Sequence, residues 1–467
     1  MFRSILLGSF VAVVALVLVF VGCSGSSSTS QTGFVNTSVS DPPTCSAPSG
    51  PYKHVFVTVT DVKIHTSANV GPNDSGWIDL TPNLQNSPQQ VDLLTQASTE
   101  CFLAMLGSKV EIQAGSYQQI RVFLAPDNTS IAGNQCSSAP GNPANCVVLA
   151  ADNSIHALAL ASEAKSGLKI PSGQIAGGNF TIGAGETKDL DIDFNACASI
   201  VPSGSGQFIL KPVLHAGEVG LSSAINGTVI DSSTGKPIIG GTTVVALERK
   251  DDSGVDRVIM ATLTDANGNF ALCPVPSGSY DLVVAAVNGA GVFYAPTVTA
   301  GVQDSTAVGN IPATPEPGTN GVSNGPASLT GVVQTGGSSG AVSEIVTLSA
   351  LLTVGINGSN VPVTIPLVEQ SVATANVTTV GDAACQSSFD CVSFTLAVPG
   401  VNAFVGGGTS TQYLQAAGAA SYNVDGQPVP HADSTPVCGQ SEAISSTVTV
   451  TPGNSFPVGT LPFTGCS

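Results

Sequence analysis

Short apolar runs with a two-residue period recur along the chain, and turns rich in glycine and proline separate them. Residues 54–65 show the pattern, because β-branched residues alternate there with polar ones. Such a period is typical of strands that pack one face against a core. The turns draw on 52 glycines and 30 prolines among 467 residues. We therefore predict an all-β protein with three β-sandwich-like domains in tandem, after a signal peptide and a flexible tether.

The composition excludes several classes of protein. Charged residues make up 9% of the chain, whereas coiled coils and long helical bundles need many charged helix formers. Hydrophobic residues make up 42%, which excludes a conventional disordered chain. The net charge of −18 disfavours nucleic acid and anionic lipid headgroups as partners, because both attract lysine and arginine.

The first residues have the pattern of an export signal. Arg3 is followed by an almost wholly apolar stretch. Its uninterrupted part, residues 10–21, is short for a bilayer span and has the length typical of a signal peptide. Residues 20–23 (FVGC) resemble the bacterial lipobox, with Phe20 where leucine is usual. The resemblance implies that residues 1–22 are a lipoprotein signal peptide and that Cys23 carries acyl chains, two or three of which anchor a protein stably.

The resemblance also bears on location. Ser24 is similar to the residue that follows the lipidated cysteine in lipoproteins sorted to the outer membrane. We expect an exported protein held by lipid at the bacterial envelope, at the outer membrane, with residues 23–50 as a spacer rich in Ser, Thr, Gly and Pro. As a flexible coil this tether would span roughly 30 Å. The alternative is an uncleaved anchor helix in which Cys23 has no role.

Ten cysteines remain, an even number that predicts disulfides in an exported chain. Spacing pairs Cys136 with Cys146 and Cys385 with Cys391, each across a short loop, and leaves Cys438 with Cys466. The sequence does not pair the other four, which are Cys45, Cys101, Cys197 and Cys273. No C-x2-C spacing is present, so we expect no zinc site.

Residues 51–216 form the first predicted domain, in which we expect one short helix at residues 101–106. Six phrases occur there in order: TDV at 60–62, VDLL at 91–94, AGSY at 114–117, LKIP at 168–171, LDIDF at 190–194 and LKPV at 210–213. The set resembles a bacterial lipoprotein family known as domain of unknown function 4382. The resemblance implies a secreted or surface β-domain and no assigned chemistry.

Residues 224–311 form the second predicted domain. INGTV at 225–229, DANGNF at 265–270 and PVPSGSY at 274–280 resemble the carboxypeptidase regulatory-like, or prealbumin-like, domain. That resemblance implies a seven-stranded sandwich, grouped with carbohydrate-binding-like folds and used mostly as a structural or binding accessory. Residues 312–326 are expected to be a Pro/Gly linker. Residues 327–467 are predicted to form a third β domain, and LTGVV at 329–333 is similar to the opening of the second.

Few residues are candidates for chemistry. Residues 336–340 satisfy G-x-S-x-G, but a glycine- and serine-rich loop surrounds them, so we favour a turn over a nucleophile elbow. Asp189, Asp191 and Asp193 alternate on a strand, where they could hold Ca²⁺; we favour a solvated strand face. Trp77 and Tyr117 could stack on a sugar, although core packing is favoured. The five histidines, expected at the surface or at strand ends, are His54, His65, His156, His215 and His431.

These observations predict no enzyme and no cofactor. The favoured function is a membrane-anchored, non-catalytic binding or scaffold protein whose partners are the bilayer, through acylated Cys23, and a carbohydrate or another envelope protein. One alternative is a carbohydrate-binding surface protein. A second alternative is an envelope enzyme with a site in the C-terminal domain.

Overall fold

The computed structural model describes most of the chain after residue 30. The described residues are 31–40, 52–94, 104–127, 129–160, 167–171, 174–175, 179–202, 207–210, 213–218, 223–275, 278–304, 306–318, 325–338, 340–380, 385, 388–407, 412–428 and 438–466. Within these ranges the protein is almost entirely β, with one four-residue α-helix, α1 (Ala196–Ser199), and a 3₁₀ helix at Val368–Gln370. The all-β prediction is confirmed. No described helix is long and apolar enough to cross a membrane.

The first fifteen strands form the N-terminal body. They are β1 (Thr32–Ser40), β2 (Tyr52–His65), β3 (Ile78–Asp79), β4 (Gln89–Asp92), β5 (Ala104–Gln113), β6 (Gly115–Tyr117), β7 (Gln119–Leu124), β8 (Cys146–Leu149), β9 (Ile155–Leu160), β10 (Leu168–Pro171), β11 (Phe180–Ile182), β12 (Thr187–Asn195), β13 (Ile200–Pro202), β14 (Phe208–Leu210) and β15 (Val213–Glu218).

Two sheets share the core of this body. One has the order β15-β12-β1-β5, and the other has the order β10-β7-β2-β8-β9-β14-β13, with β3 and β4 also paired to β2. In β2 the buried valines 55, 57 and 59 have odd numbers, whereas Val62 and Ile64 have even numbers. A shift in the pairing with β7 between Val59 and Asp61 explains the change, because one extra residue returns the later side chains to the same face.

Two predictions for this region are wrong. Residues 32–40, expected in the tether, form β1, which lies between β12 and β5 in the sheet. Val35 and Val39 are buried in the core, and the intervening serines and threonines mask the two-residue period in the sequence. The helix expected at 101–106 is also wrong for residues 104–106, which begin β5; residues 101–103 lie outside the described ranges.

The remaining strands form two modules. The middle module contains β16 (Ser223–Asp231), β17 (Thr242–Lys250), β18 (Asp256–Leu263), β19 (Asn269–Val275), β20 (Ser279–Val287), β21 (Tyr294–Ala295), β22 (Thr297–Gln303) and β23 (Ala307–Pro315). The C-terminal module contains β24 (Ala327–Gly337), β25 (Gly340–Ala341), β26 (Ile345–Ile356), β27 (Ser359–Thr364), β28 (Ala375–Thr378), β29 (Asp390–Val398), β30 (Phe404–Gly407), β31 (Leu414–Gln415), β32 (Ser421–Pro428), β33 (Ala443–Ile444), β34 (Val448–Thr449) and β35 (Ser455–Thr464).

The middle module contains a sheet that is buried on both faces. This central sheet has the order β18-β17-β20-β22. Val245 and Val284 face β16, β19 and β23 in the core of the middle module. Val244 and Ala285, one residue away on each strand, belong to a second core that contains strands of the C-terminal module. The two modules therefore share a layer of structure.

The C-terminal module also extends both edges of the central sheet. At one edge β27 pairs in parallel with β18, and at the other edge β30 pairs in parallel with β22. A separate sheet of β25, β24, β29 and β35 completes the C-terminal module. The two modules are thus joined by paired strands at both edges and by packing across one face.

The predicted linker is wrong for residues 312–318. β23 runs through Pro315, and Glu316 is only 7% exposed. Its carboxylate accepts a hydrogen bond from the Gly400 N–H at 2.6 Å. Glu316, the single charged residue of the predicted linker, therefore forms a contact between the modules. Residues 319–324 lie outside the described ranges.

Three disulfide bonds join the cysteines that spacing pairs. They link Cys136 to Cys146, Cys385 to Cys391 and Cys438 to Cys466. The last bond fixes the end of β35, which is paired in parallel with β24. Cys45 and Cys101 lie outside the described residues, as do the side chains of Cys197 and Cys273.

The shared sheet predicts that Ala285→Asp will be severely destabilising. If the middle module were an independent sandwich, this position could face water, but here it is fully buried against the C-terminal module. A buried, unpaired carboxylate should lower the free energy of unfolding by at least about 3 kcal/mol. Urea denaturation measures the change. Ala290→Asp, on an exposed turn, is the matched control and should have little effect; equal stability of the two variants would contradict the shared layer.

The lengths of the loops that the disulfides close predict which of two bonds contributes more to stability. The Cys438–Cys466 bond spans 28 residues and the Cys385–Cys391 bond spans 6. From loop-closure entropy, we expect the free energy of unfolding to fall by about 3–4 kcal/mol when the first pair is replaced by alanine and by about 2 kcal/mol when the second pair is replaced. Thermal unfolding of the two double variants compares them, and a larger loss for the short loop would refute the order.

Candidate functional site

The G-x-S-x-G segment lies in a hairpin. Gly336 and Gly337 end β24, and Gly336 pairs with Ala341 in β25. Ser338 is exposed in the turn, and Ser339 lies outside the described residues. A nucleophile elbow needs a helix after the serine, and β25 stands there instead. This segment is a turn.

The three aspartates do not form a solvated face, so that prediction is wrong. Asp189 is exposed and accepts a hydrogen bond from the Asn36 amide at 2.6 Å. Asp191 is fully buried and accepts hydrogen bonds from Ser38 at 2.7 Å and Ser40 at 2.5 Å. Burial raises the pKa of Asp191 to about 7. These contacts come from β1, which the sequence did not reveal as a strand.

Asp193 lies beside His215 on the next strand. Its side chain is buried, and the distance from its Oδ2 to His215 Nδ1 is 3.8 Å. Neither Asp193 Oδ1 nor His215 Nδ1 has a hydrogen-bond partner. Within the described part of the chain, no three His, Cys, Asp or Glu side chains are close enough to hold a metal ion. The calcium hypothesis therefore gains no support from the geometry of residues 189–193.

The other described histidines make local contacts. The distance from His54 Nδ1 to Asp92 Oδ2 is 2.6 Å, and from His156 Nε2 to Ser154 Oγ it is 2.8 Å. His65, at the end of β2, accepts a hydrogen bond from the Ser67 N–H. His431 lies outside the described residues. The structure does not bring these side chains together.

Trp77 and Tyr117 do not form a stacking platform. Tyr117 is 1% exposed, and its hydroxyl donates to the Gln113 carbonyl at 2.7 Å. Trp77 is half-buried: its indole N–H donates to the Gly71 carbonyl, and the Arg121 guanidinium lies 5.6 Å from its ring centre. Both aromatic residues stabilise the N-terminal body.

A cleft of about 310 Å³ opens where the middle and C-terminal modules meet. Its lining residues are Ala300, Asn357, Val405, Gly406, Gly407, Gln412 and Leu414. None of these side chains is ionisable, two are amides, and Leu414 is 72% exposed. The cleft can therefore donate and accept hydrogen bonds to a neutral molecule and contact an apolar surface.

Tyr413 lies between the lining residues Gln412 and Leu414 and contacts the middle module. Its hydroxyl lies 2.9 Å from the Thr299 hydroxyl of the middle module. Its ring packs on Gly406, where a Cβ atom would lie 2.8 Å from Tyr413 Cδ1. A side chain at position 406 would crowd the Tyr413 ring. The lining combines Ala300 with residues between 357 and 414, which are far from it in the sequence. Sequence reasoning missed the cleft for that reason.

The main group of carboxyls with raised pKa values lies between the modules. Burial raises the pKa of Asp425 to about 6 and that of Asp256 to about 7, and it raises the pKa of Glu248 well above its usual value. Glu248 and Asp256 are at most 1% exposed. A substrate cannot contact them in this conformation, so the group does not support the envelope-enzyme alternative.

Family comparison identifies one of the three domains. Residues 32–212 match the model described as domain of unknown function DUF4382. The N-terminal body is a DUF4382 domain. The match begins at β1, in agreement with the place of that strand in the sheet. The chain matches no curated protein.

Solved structures give distant similarities. The chain is similar to the TIE protein of Bacillus anthracis at 10% identity and a TM-score of 0.15, over 93% of this chain and 51% of that one. It thus spans about half the length of that protein. A DUF3823 family protein from Bacteroides uniformis has 11% identity and a TM-score of 0.16, over 49% of this chain and 99% of that one.

A third similar structure is the shaft pilin SpaA from Lactobacillus rhamnosus GG. The two chains are 9% identical with a TM-score of 0.19, over 62% of this chain and 99% of that one. These scores are too low to carry a functional argument.

Proposed function

We propose that the protein is a lipoprotein of the bacterial envelope that acts as a non-catalytic binding or scaffold protein. The observation that carries this proposal is the joining of the middle and C-terminal modules by a sheet buried on both faces. The four-position pairing of β22 with β30 and the packing across one face of that sheet hold the modules together. A firmly joined pair of modules is suited to presenting a surface at a fixed geometry.

The lipid anchor rests on the order of features in residues 1–30, which lie outside the described ranges. A single basic residue, an apolar run and FVGC at 20–23 precede a tract of serine, glycine and threonine. The thiol of Cys23 would be joined to diacylglycerol and its amino group acylated after cleavage. Two or more chains give the stable attachment that one chain does not.

The anchor predicts a clear effect of Cys23→Ser. Wild-type protein should partition with membranes and show an intact mass above that of the polypeptide starting at residue 23. The variant should leave the membrane fraction or retain residues 1–22, because no thiol is available for lipid attachment. Ser26→Ala is the matched control and should behave as wild type. Membrane partitioning and mass that are unchanged in Cys23→Ser would reject the anchor.

The cleft favours a second candidate function, carbohydrate binding. Sugars present hydroxyls that amides recognise and C–H faces that apolar side chains contact. Asn357 and Gln412 supply amides, and Val405 and Leu414 supply apolar surface. The absence of ionisable groups among the lining residues favours a neutral sugar over a charged one.

The carbohydrate candidate predicts saturable binding that depends on Gln412. A glycan array on the chain lacking residues 1–23 identifies a ligand, and calorimetry then measures the affinity. Gln412→Ala should weaken binding about tenfold, which corresponds to about 1.4 kcal/mol for the hydrogen bonds of one amide. Gln415→Ala, three residues further along and not among the lining residues of the cleft, is the control. Binding that is absent, or equally affected by both variants, would remove this candidate.

A further inference from the structure

The seam between β18 and β27 is held by few main-chain contacts. Strands β17 and β18 are paired along seven residue positions, whereas β18 and β27 are paired only at Asp256 and Val363. Side chains supply the rest of the seam. The Thr364 N–H donates to Glu248 Oε2 at 3.1 Å, and the Thr364 hydroxyl donates to the Asp256 carbonyl at 2.8 Å.

Three carboxyl groups meet behind this seam. Glu248 lies directly opposite Asp281 in the pairing of β17 with β20. Burial, and next the repulsion of the nearby Asp281 carboxylate, raise the pKa of Asp256. Glu248 Oε1 and Asp256 Oδ2 are buried without a hydrogen-bond partner. Like charges at this spacing in a dry site cannot all be ionised without large repulsion.

The cations near the seam are outnumbered. Lys250 lies opposite Asp256 in the pairing of β17 with β18, but it is exposed. Arg249 lies opposite Arg257 in the same pairing and is exposed as well. Three further carboxylates occupy the Arg257 guanidinium. These are Asp251, at 2.9 Å, and Asp425 and Glu442 of the C-terminal module. Arg257 thus has little capacity left to neutralise the carboxyls behind it.

We propose that the β18–β27 seam is a proton-operated joint, closed while Glu248 and Asp256 hold protons and loosened when both release them to water. The ionised groups would have to be hydrated, because burying a charge without a partner is costly. Separation of β18 from β27 admits that water and breaks one residue pairing and the two Thr364 hydrogen bonds. The module stays attached at the opposite edge, where β22 and β30 are paired along four positions.

Glu316 is a buried carboxyl at another contact between the modules, and its surroundings differ from those of Glu248. It is also buried, beside Tyr422, and its pKa is raised to about 7 by burial. However, its carboxylate accepts hydrogen bonds from the backbone N–H groups of Gly400 and Val401, which stabilise the ionised form. Glu248 accepts only the Thr364 N–H bond. Ionisation is therefore less disruptive at Glu316 than behind the β18–β27 seam.

The direction of the pH effect follows from the sign of the shifts. Burial raises the pKa of Asp256 from 3.8 to about 7, and the pKa of Glu248 rises too. Because the pKa is higher in the closed state than in the open state, the bound proton stabilises the closed seam at low pH. This stabilisation is lost as the pH rises through about 7. Between pH 6 and pH 8 the opening equilibrium should increase about tenfold through Asp256 alone, and Glu248 acts in the same direction.

Hydrogen exchange on the full-length protein tests the joint. After correction for intrinsic exchange rates, peptides covering residues 359–364 should lose at least tenfold in protection between pH 6 and pH 8. Peptides covering residues 297–303 of β22, in the same sample, should change much less. The double variant Glu248→Gln with Asp256→Asn should keep its protection across this range, because neither side chain then titrates.

Asp252→Asn is the matched control, since Asp252 is exposed on the turn that joins β17 to β18. It should retain the wild-type pH dependence. Wild-type protection of residues 359–364 that does not change between pH 6 and pH 8 would overturn the proposal, whether or not the double variant folds. Equal loss at both edges of the central sheet would also overturn it, because the joint would then be no weaker than the rest of the interface.

Discussion

The burial of one sheet on both faces is the constraint on which the middle and C-terminal modules depend. Each residue of β17 from Thr242 to Glu248 is buried, so side chains that alternate in direction all leave water. One set packs in the core of the middle module and the other set packs against the C-terminal module. Each module therefore needs the other to bury its hydrophobic surface. The same contact brings β27 and β30 alongside the two edges of the sheet, where they pair with it.

Sequence patterns predicted the strands well and their environment less well. Alternation identified β2, and loop spacing identified the Cys136–Cys146 and Cys385–Cys391 disulfides, because both signals are local. The continuous apolar run at residues 282–287 is typical of strands buried on both faces. β1 was missed because its apolar residues alternate with Asn, Ser and Thr, which are usual in linkers; two of these, Ser38 and Ser40, bind Asp191.

The candidate sites were harder to predict, because each depends on residues far apart in the chain. The cleft combines Ala300 with Asn357 and Gln412, and the seam joins Glu248 to Thr364. No local period reports such contacts. Alternation predicted a solvated face for the aspartates at 189–193, whereas Asp191 and Asp193 are buried, as are Glu248 and Asp256. A chain with few charged residues has few cations with which to neutralise them, so their protonation becomes part of the structure.

The position of β1 limits how far the folded part can stand from a membrane. If Cys23 carries lipid as proposed, only residues 24–31 separate it from the first residue of the strand. Eight residues reach at most about 28 Å when fully extended, and about 16 Å on average as a coil. The DUF4382 domain would then rest near the lipid headgroups with a restricted orientation. Partners would approach it from the side that faces away from the bilayer.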